Sequence, residues 1–264
     1  NANAISDGGI GSTFTANGEL TISGGSSLDI NTGGVMSNDK AGAGLVVDNA
    51  SAIIQGASSE LDFIGAEGPS IDEDGAPGGS VTVQLGGQFD LDGLSTVRLD
   101  GGNGGSSGSG SGFGFAGMGG GGGLLRVSGG VMTLDGVVSS NGGEGGPSSF
   151  SALGRPGGNG GPGGQIDVSS GVLTLNGVVH ALGGAGHVGG AAGSGAATTG
   201  GGGGRGGNGG GFIVTGGQFV MDGDIHANGG TGGNADPAEV TFAGDGGRGG
   251  AGGQVHVSGG VMHI

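Results

Sequence analysis

The chain has 264 residues, of which 82 are glycine and 6 proline, with no cysteine, tryptophan or tyrosine. So little proline excludes a collagen triple helix, and the missing cysteines exclude disulfides and thiolate metal sites. A net charge of −16 argues against nucleic acid as a partner, and no apolar run is long enough for membrane insertion as a helix.

The sequence opens at Asn1 rather than methionine. It reads as a mature, secreted chain after signal-peptide removal, extracellular or on the cell surface, a reading that a fragment would satisfy equally. Residues 1–18 form an N-terminal segment with an Asp7-Gly8 turn and a short strand, Thr13-Phe14-Thr15-Ala16, closed by Asn17-Gly18.

A repeat begins at Glu19. Segments starting at Glu19, Gly44, Ser80, Leu124, Gln165, Gly211 and Gln254 each read x-apolar-x-apolar, then a small or glycine-rich corner, then apolar-x-apolar. The second position holds Leu20, Leu45, Val81, Leu125, Ile166, Phe212 and Val255, and the fourth Ile22, Val47, Val83, Val127, Val168, Val214 and Val257. After the corner come Leu28, Phe89, Met132, Leu173, Phe219 and Met262, followed two residues on by Ile30, Leu91, Leu134, Leu175, Met221 and Ile264. The second copy, with Ala52 and Ile54, fits less well. Asp-Gly or Asn-Gly then leads to a third short strand marked by Val138, Val179 and Ile225.

One such unit cannot bury its apolar residues alone, whereas stacked units line them into continuous ladders. Period-2 alternation with glycine corners therefore predicts an all-β fold: a parallel β-solenoid of about seven short three-strand coils, with a core roughly 30 Å long. The competing fold is an antiparallel sandwich of hairpins, which would not require the same inward residue types at the same step of every unit.

Coils over 19–100 read as plain, and those over 101–264 carry glycine-rich excursions at 101–123, 142–164, 183–210 and 229–253, all within one continuous domain. The excursion legs run in Gly-Gly-x triplets, such as Gly157-Gly158-Asn159, Gly160-Gly161-Pro162 and Gly163-Gly164-Gln165. A period of three matches the polyproline-II helix, and two glycines in three leave neighbours room on both sides while x faces solvent. Such legs have no internal hydrogen bonds, so their buried N–H and C=O groups must pair between legs. The expectation is a layer of polyglycine-II helices flanking the solenoid; the alternative is disordered loops.

The strand ladders resemble bacterial surface β-helix proteins of the adhesin type. The Gly-Gly-x legs resemble the polyglycine-II bundles of snow flea antifreeze protein and of phage tail-fibre tip adhesins, and more loosely mycobacterial glycine-repeat surface proteins. The likeness covers residues 19 to 264 in pattern only, and no functional residue transfers with it.

The last copy stops at Ile264 after two strands, and the N-terminal segment carries a match to the third strand. One reading is a head-to-tail homopolymer, with Asp7, Gly8, Thr13, Phe14, Thr15 and Ala16 of one subunit meeting Val255, Val257, Met262 and Ile264 of the next. The other is a piece of a longer solenoid.

Candidate chemistry is sparse. Asp72 and Asp74 are weak calcium candidates, since no EF-hand or nonapeptide calcium spacing accompanies them. His180 and His226 occupy the same outward position in successive units, without a third ligand. No carboxylate pair with aromatic sugar platforms is present, so neither an enzyme nor a cofactor is expected. Phe113, Phe115, Met118, Phe150, Leu153, Val240 and Phe242 gather at the excursion tips as candidate contacts. The expected function is an extracellular structural protein polymerising by strand complementation. The runner-up is a monomeric adhesin that binds a cell-surface glycan or receptor through the tips, and a weaker third is an ice-binding protein.

Overall fold

The computed structural model describes residues 44–48, 50–55, 59–68, 72–107, 116–148, 155–190, 200–235 and 244–264, and the backbone of five short strands before them. In chain order the strands are β1 (Ala4–Asp7), β2 (Thr13–Thr15), β3 (Glu19–Ser23), β4 (Ser27–Asn31), β5 (Val35–Ser37), β6 (Gly44–Asp48), β7 (Ser51–Gln55) and β8 (Glu60–Asp62). They continue with β9 (Ser80–Gln84), β10 (Gln88–Leu91), β11 (Thr96–Arg98), β12 (Leu124–Leu134), β13 (Val137–Ser139), β14 (Gln165–Leu175) and β15 (Val178–His180). The last five are β16 (Gly211–Val214), β17 (Gln218–Met221), β18 (Asp224–His226), β19 (Gln254–Val257) and β20 (Val261–His263). The described residues contain no helix, so none is long and apolar enough to cross a membrane.

Every described strand pair is parallel, in one sheet of 13 strands and one of 7. Glu19, Gly44, Ser80, Leu124, Gln165, Gly211 and Gln254 stand side by side in the ladder of first strands, the alignment read from the sequence. Second strands form a ladder from β1 to β20, in which Ala52 and Ile54 sit in register with Leu28 and Ile30 on one side and Phe89 and Leu91 on the other. The third strands, β2, β5, β8, β11, β13, β15 and β18, make the smaller sheet. Parallel pairing throughout rules out the hairpin sandwich, whose neighbours would run antiparallel.

Register puts like residues against like. Leu45, Val81, Leu125 and Ile166 are buried in one row, Val47, Val83, Val127, Val168 and Val214 in the next. Ala52, Phe89, Met132, Leu173 and Phe219 make a third row, and Leu61, Val97, Val138 and Val179 face them from the smaller sheet. All belong to one apolar cluster, to which each fully buried Leu, Ile or Phe contributes about 1.5–3 kcal/mol. Phe212 and Phe219 pack ring on ring at 4.7 Å, tilted by 41°. The row after the third strand shrinks from Phe63 and Leu99 to Ser140 and Ala181, making room for the glycines that return beside it.

The corner between first and second strands holds a left-handed glycine in the five repeats from β9 to β20. Gly86, Gly130, Gly171, Gly217 and Gly260 all have positive φ, between 71° and 138°. At Gly171 (φ 81°) a Cβ would also run into the carbonyl oxygen of Gly130 in the preceding corner. Gly171→Ala is therefore expected to destabilise the fold by roughly 1–3 kcal/mol. Urea unfolding measures this, and a loss below about 0.5 kcal/mol would contradict the account of the corner.

Candidate functional site: the glycine legs and the open sheet edge

Between the third strand of one repeat and the first strand of the next, the chain leaves the sheets and comes back. Among the described residues these legs occur as pairs at 64–68 with 73–79, 100–107 with 117–123, 141–148 with 156–164, 182–190 with 201–210, and 228–234 with 245–253. The first pair lies in the region read from the sequence as plain strands.

Their hydrogen bonds repeat every three residues. The first glycine of a triplet donates its N–H to residue x of the corresponding leg one repeat later: Gly101 to Asn141, Gly142 to Leu182 and Gly183 to Asn228, each at 2.8 Å. Returning legs do the same, with Gly160 donating to Arg205 and Gly163 to Asn208, both at 2.8 Å. The second glycine donates across to a leg running the other way: Gly143 to Gly120, Gly161 to Gly143, Gly184 to Gly161 and Gly207 to Gly184, all at 2.8 Å. Glycine is required at these crossings because the backbones touch. A Cβ at Gly143 would meet the carbonyl of Gly102, and one at Gly207 the carbonyl of Gly161. His187 is an exception: it stands at a second position, and its Nδ1 is buried without a hydrogen-bond partner among the described residues.

Residue x faces outward, and Glu144, Asn159, Arg205 and Arg248 are exposed. At six x positions the residue's own N–H finds a partner in a side chain of the preceding repeat. Asn103, Asn141, Asn159 and Asn208 accept through Oδ1 from the N–H groups of Glu144, Leu182, Arg205 and Ala251 at 2.8–3.0 Å. Asp100 and Asp74 do the same for Asn141 and Met118. The sequence signal for this was the asparagine at x, which simple solvent exposure explains equally well.

One ion cluster marks the smaller sheet. Arg98 on β11 reaches both Asp62 and Glu60 on β8. Burial raises the Asp62 carboxyl above its ordinary value, outweighing the lowering by Arg98, while the hydrogen bond to Asp62 raises Arg98. A raised carboxyl binds its proton more tightly in the folded state than in the unfolded one, so its stability contribution is present at low pH and lost as pH rises through the folded value. Wild type is expected to gain stability relative to Asp62→Asn as pH falls from neutral toward 3.8; a flat difference across that range would refute the sign.

The edge formed by β18, β19 and β20 is where the apolar rows come to the surface. Val255 is 61% exposed, Val257 44% and Ile264 85%. Beside it lies a cavity of about 510 Å³, bordered by Phe212, Met221, Ile225 and Met262, at the place where a third strand would follow β18. His180 and His226 stack on the outside of the smaller sheet, with centroids 5.2 Å apart.

The structure brings Val255, Val257, Met262 and Ile264 together at this edge. It places Asp7 in β1, paired with β4, and Thr13, Phe14 and Thr15 in β2, paired with β5; Gly8 and Ala16 lie outside the described residues. Phe113, Phe115, Phe150, Leu153, Val240 and Phe242 also lie outside them. Met118 stands on a returning leg, 47% exposed. Asp74 is engaged with the Met118 N–H, and Asp72 sits at a turn with φ 66°. Among the described residues no three His, Asp or Glu side chains gather as a metal site.

No family model matches the chain, and no curated protein matches it. Among solved structures it is similar to a springtail antifreeze protein from Granisotoma rainieri, a bundle of nine polyproline type II helices. The identity is 26%, over 72% of this chain and 93% of that one, with a TM-score of 0.20.

The leg contacts predict a sharp contrast between triplet positions. Gly207→Ala, which forces a methyl against the Gly161 carbonyl, is expected to cost at least about 2 kcal/mol, whereas Asn159→Ala, which loses one side-chain acceptor, costs about 0.5–1.5 kcal/mol. Chemical unfolding of the two variants checks the order, and equal losses would overturn it.

Proposed function

We propose that the chain is a parallel β-solenoid flanked by a polyglycine-II layer, and that it serves as a structural subunit joining copies of itself end to end in an extracellular filament. The three-residue hydrogen-bond period and the Gly-Gly-x composition support the polyglycine-II reading, since that helix has three residues per turn and satisfies its backbone only through neighbours. Three parallel ladders in constant register support the solenoid.

The observation that carries the filament reading is the apolar cavity beside β18, together with Val255 and Val257, which are exposed here although their rows are buried in the earlier repeats. Exposed parallel strand edges of this kind template further strands. A translated copy meets the need if its β2 follows β18, its β3 follows β19 and its β4 follows β20, because each belongs to the matching ladder. Phe14 then falls in the row of Val179 and Ile225, at the mouth of the cavity. One element stands in the way. In the single chain β1 holds the outer side of β4, the side β20 of the neighbour must take, so β1 has to leave before the joint closes. A four-residue strand paired on one side only is a small loss against three joined ladders.

Electron microscopy with light scattering tests this. The full chain is expected to form uniform filaments, removal of residues 1–8 to speed their formation, and removal of 1–18 to abolish it by deleting β2. Undiminished polymerisation of the chain lacking residues 1–18 would sink the reading.

A further inference from the structure

The smaller sheet stacks its side chains in columns, one residue from each repeat. The last position of the third strands runs Asp62, Arg98, Ser139, His180 and His226 from β8 to β18. His180 and His226 stand opposite each other in register, with ring centroids 5.2 Å apart and planes within 14°. The other three histidines are placed differently: His256 faces Ile213 across its ladder, His263 faces Val220, and His187 lies on a glycine leg.

The strands beneath hold this pair in place. Val179 is fully buried and Ile225 packs against the same apolar cluster, so β15 and β18 are pinned from inside. Pairing continues past the strands, where Ala181 donates its N–H to the His226 carbonyl at 2.8 Å. Alternation along each strand then turns both imidazoles outward. His180 stays half-buried although the column gives it a neighbour on each side, Ser139 and His226. Access to the column is therefore a property of the sheet face and does not depend on an edge. Asp224, two residues before His226, lies on the same outer face and is exposed.

We infer that His180 and His226 form a two-imidazole site for a divalent transition cation such as zinc, with water completing the coordination. Imidazole nitrogen suits these borderline ions, whereas calcium and magnesium take sets of oxygen ligands. Zinc–nitrogen bonds of about 2.0–2.1 Å put two ligating nitrogens at most about 4 Å apart. Rings 5.2 Å apart reach that span by tipping their outer edges together, with the strands left where they are. Two protein ligands leave the remaining positions to solvent, unlike the closed four-ligand sites that hold structural zinc. Asp224 does not make a third ligand, but its carboxylate and the net charge of −16 favour a cation at this face. The imidazoles project from the face of the sheet, so the site does not rest on strand pairing at β18–β20.

The test titrates Zn2+ into the full chain and follows the imidazole resonances by NMR, with Ca2+ as control. Expected is saturable binding in which His180 and His226 shift together, while calcium moves neither. His180→Gln and His226→Gln are each expected to weaken zinc binding at least about tenfold, because a second imidazole already held in place adds its bond without further ordering. Acidification is expected to weaken it too, since protons compete for the same nitrogens. Both substitutions lie on the outer face, so the metal-free variants are expected to keep the wild-type melting temperature. Unmoved His180 and His226 resonances at millimolar zinc, or shifts confined to His187, His256 and His263, overturn the inference from wild type alone, even if a variant fails to fold. Undiminished affinity in either variant overturns it as well.

Discussion

Everything outside the apolar rows depends on one requirement, that each buried backbone N–H and C=O find a partner. The glycine legs meet it between segments rather than within them. In the inner repeats a triplet sends one N–H to the next repeat and one to a leg running the other way, while the third is met by an asparagine or aspartate from the repeat before, or faces out. That arrangement leaves no space for side chains between legs, which is why glycine dominates the composition. It also explains why the legs sit where they do: a segment without an apolar face needs the ladders to fix its position.

The ladders themselves were legible from alternation alone. Seven segment starts chosen for their apolar pattern proved to be side by side, because a parallel ladder in constant register repeats the same inward positions in every unit. The weak second copy was legible for the same reason; Ala52 is small, yet it occupies the row of Phe89 and Leu28. The legs at 64–79 were less readable. Their triplets carry glycine mainly at first positions, in Gly65, Gly68, Gly75 and Gly78, and alanine at 66 and 76, so the Gly-Gly-x signature is reduced to Gly78-Gly79-Ser80. Among the described residues no leg adjoins Ala66 and Ala76 from the preceding repeat, a fact of packing invisible to a pattern that assumes every triplet is alike.

Candidate contact residues divided along the same line. Val255, Val257, Met262 and Ile264 were singled out by repeat phase, and phase is what the ladders obey, so they share an edge. Met118 was grouped with the excursion tips by hydrophobicity, but it occupies an x position whose backbone is bound to Asp74. The asparagine acceptors escaped notice because one polar side chain on a solvent-facing position carries no signal until the next repeat is laid beside it.

The two halves of the molecule hold together by different thermodynamics. Separating the strand ladders would expose apolar surface, which raises heat capacity and makes their stability fade in the cold. Separating the legs would expose mostly peptide groups, whose hydration changes heat capacity in the opposite sense. The glycine half therefore has the flatter stability curve, and on cooling its cohesion persists while that of the apolar rows weakens.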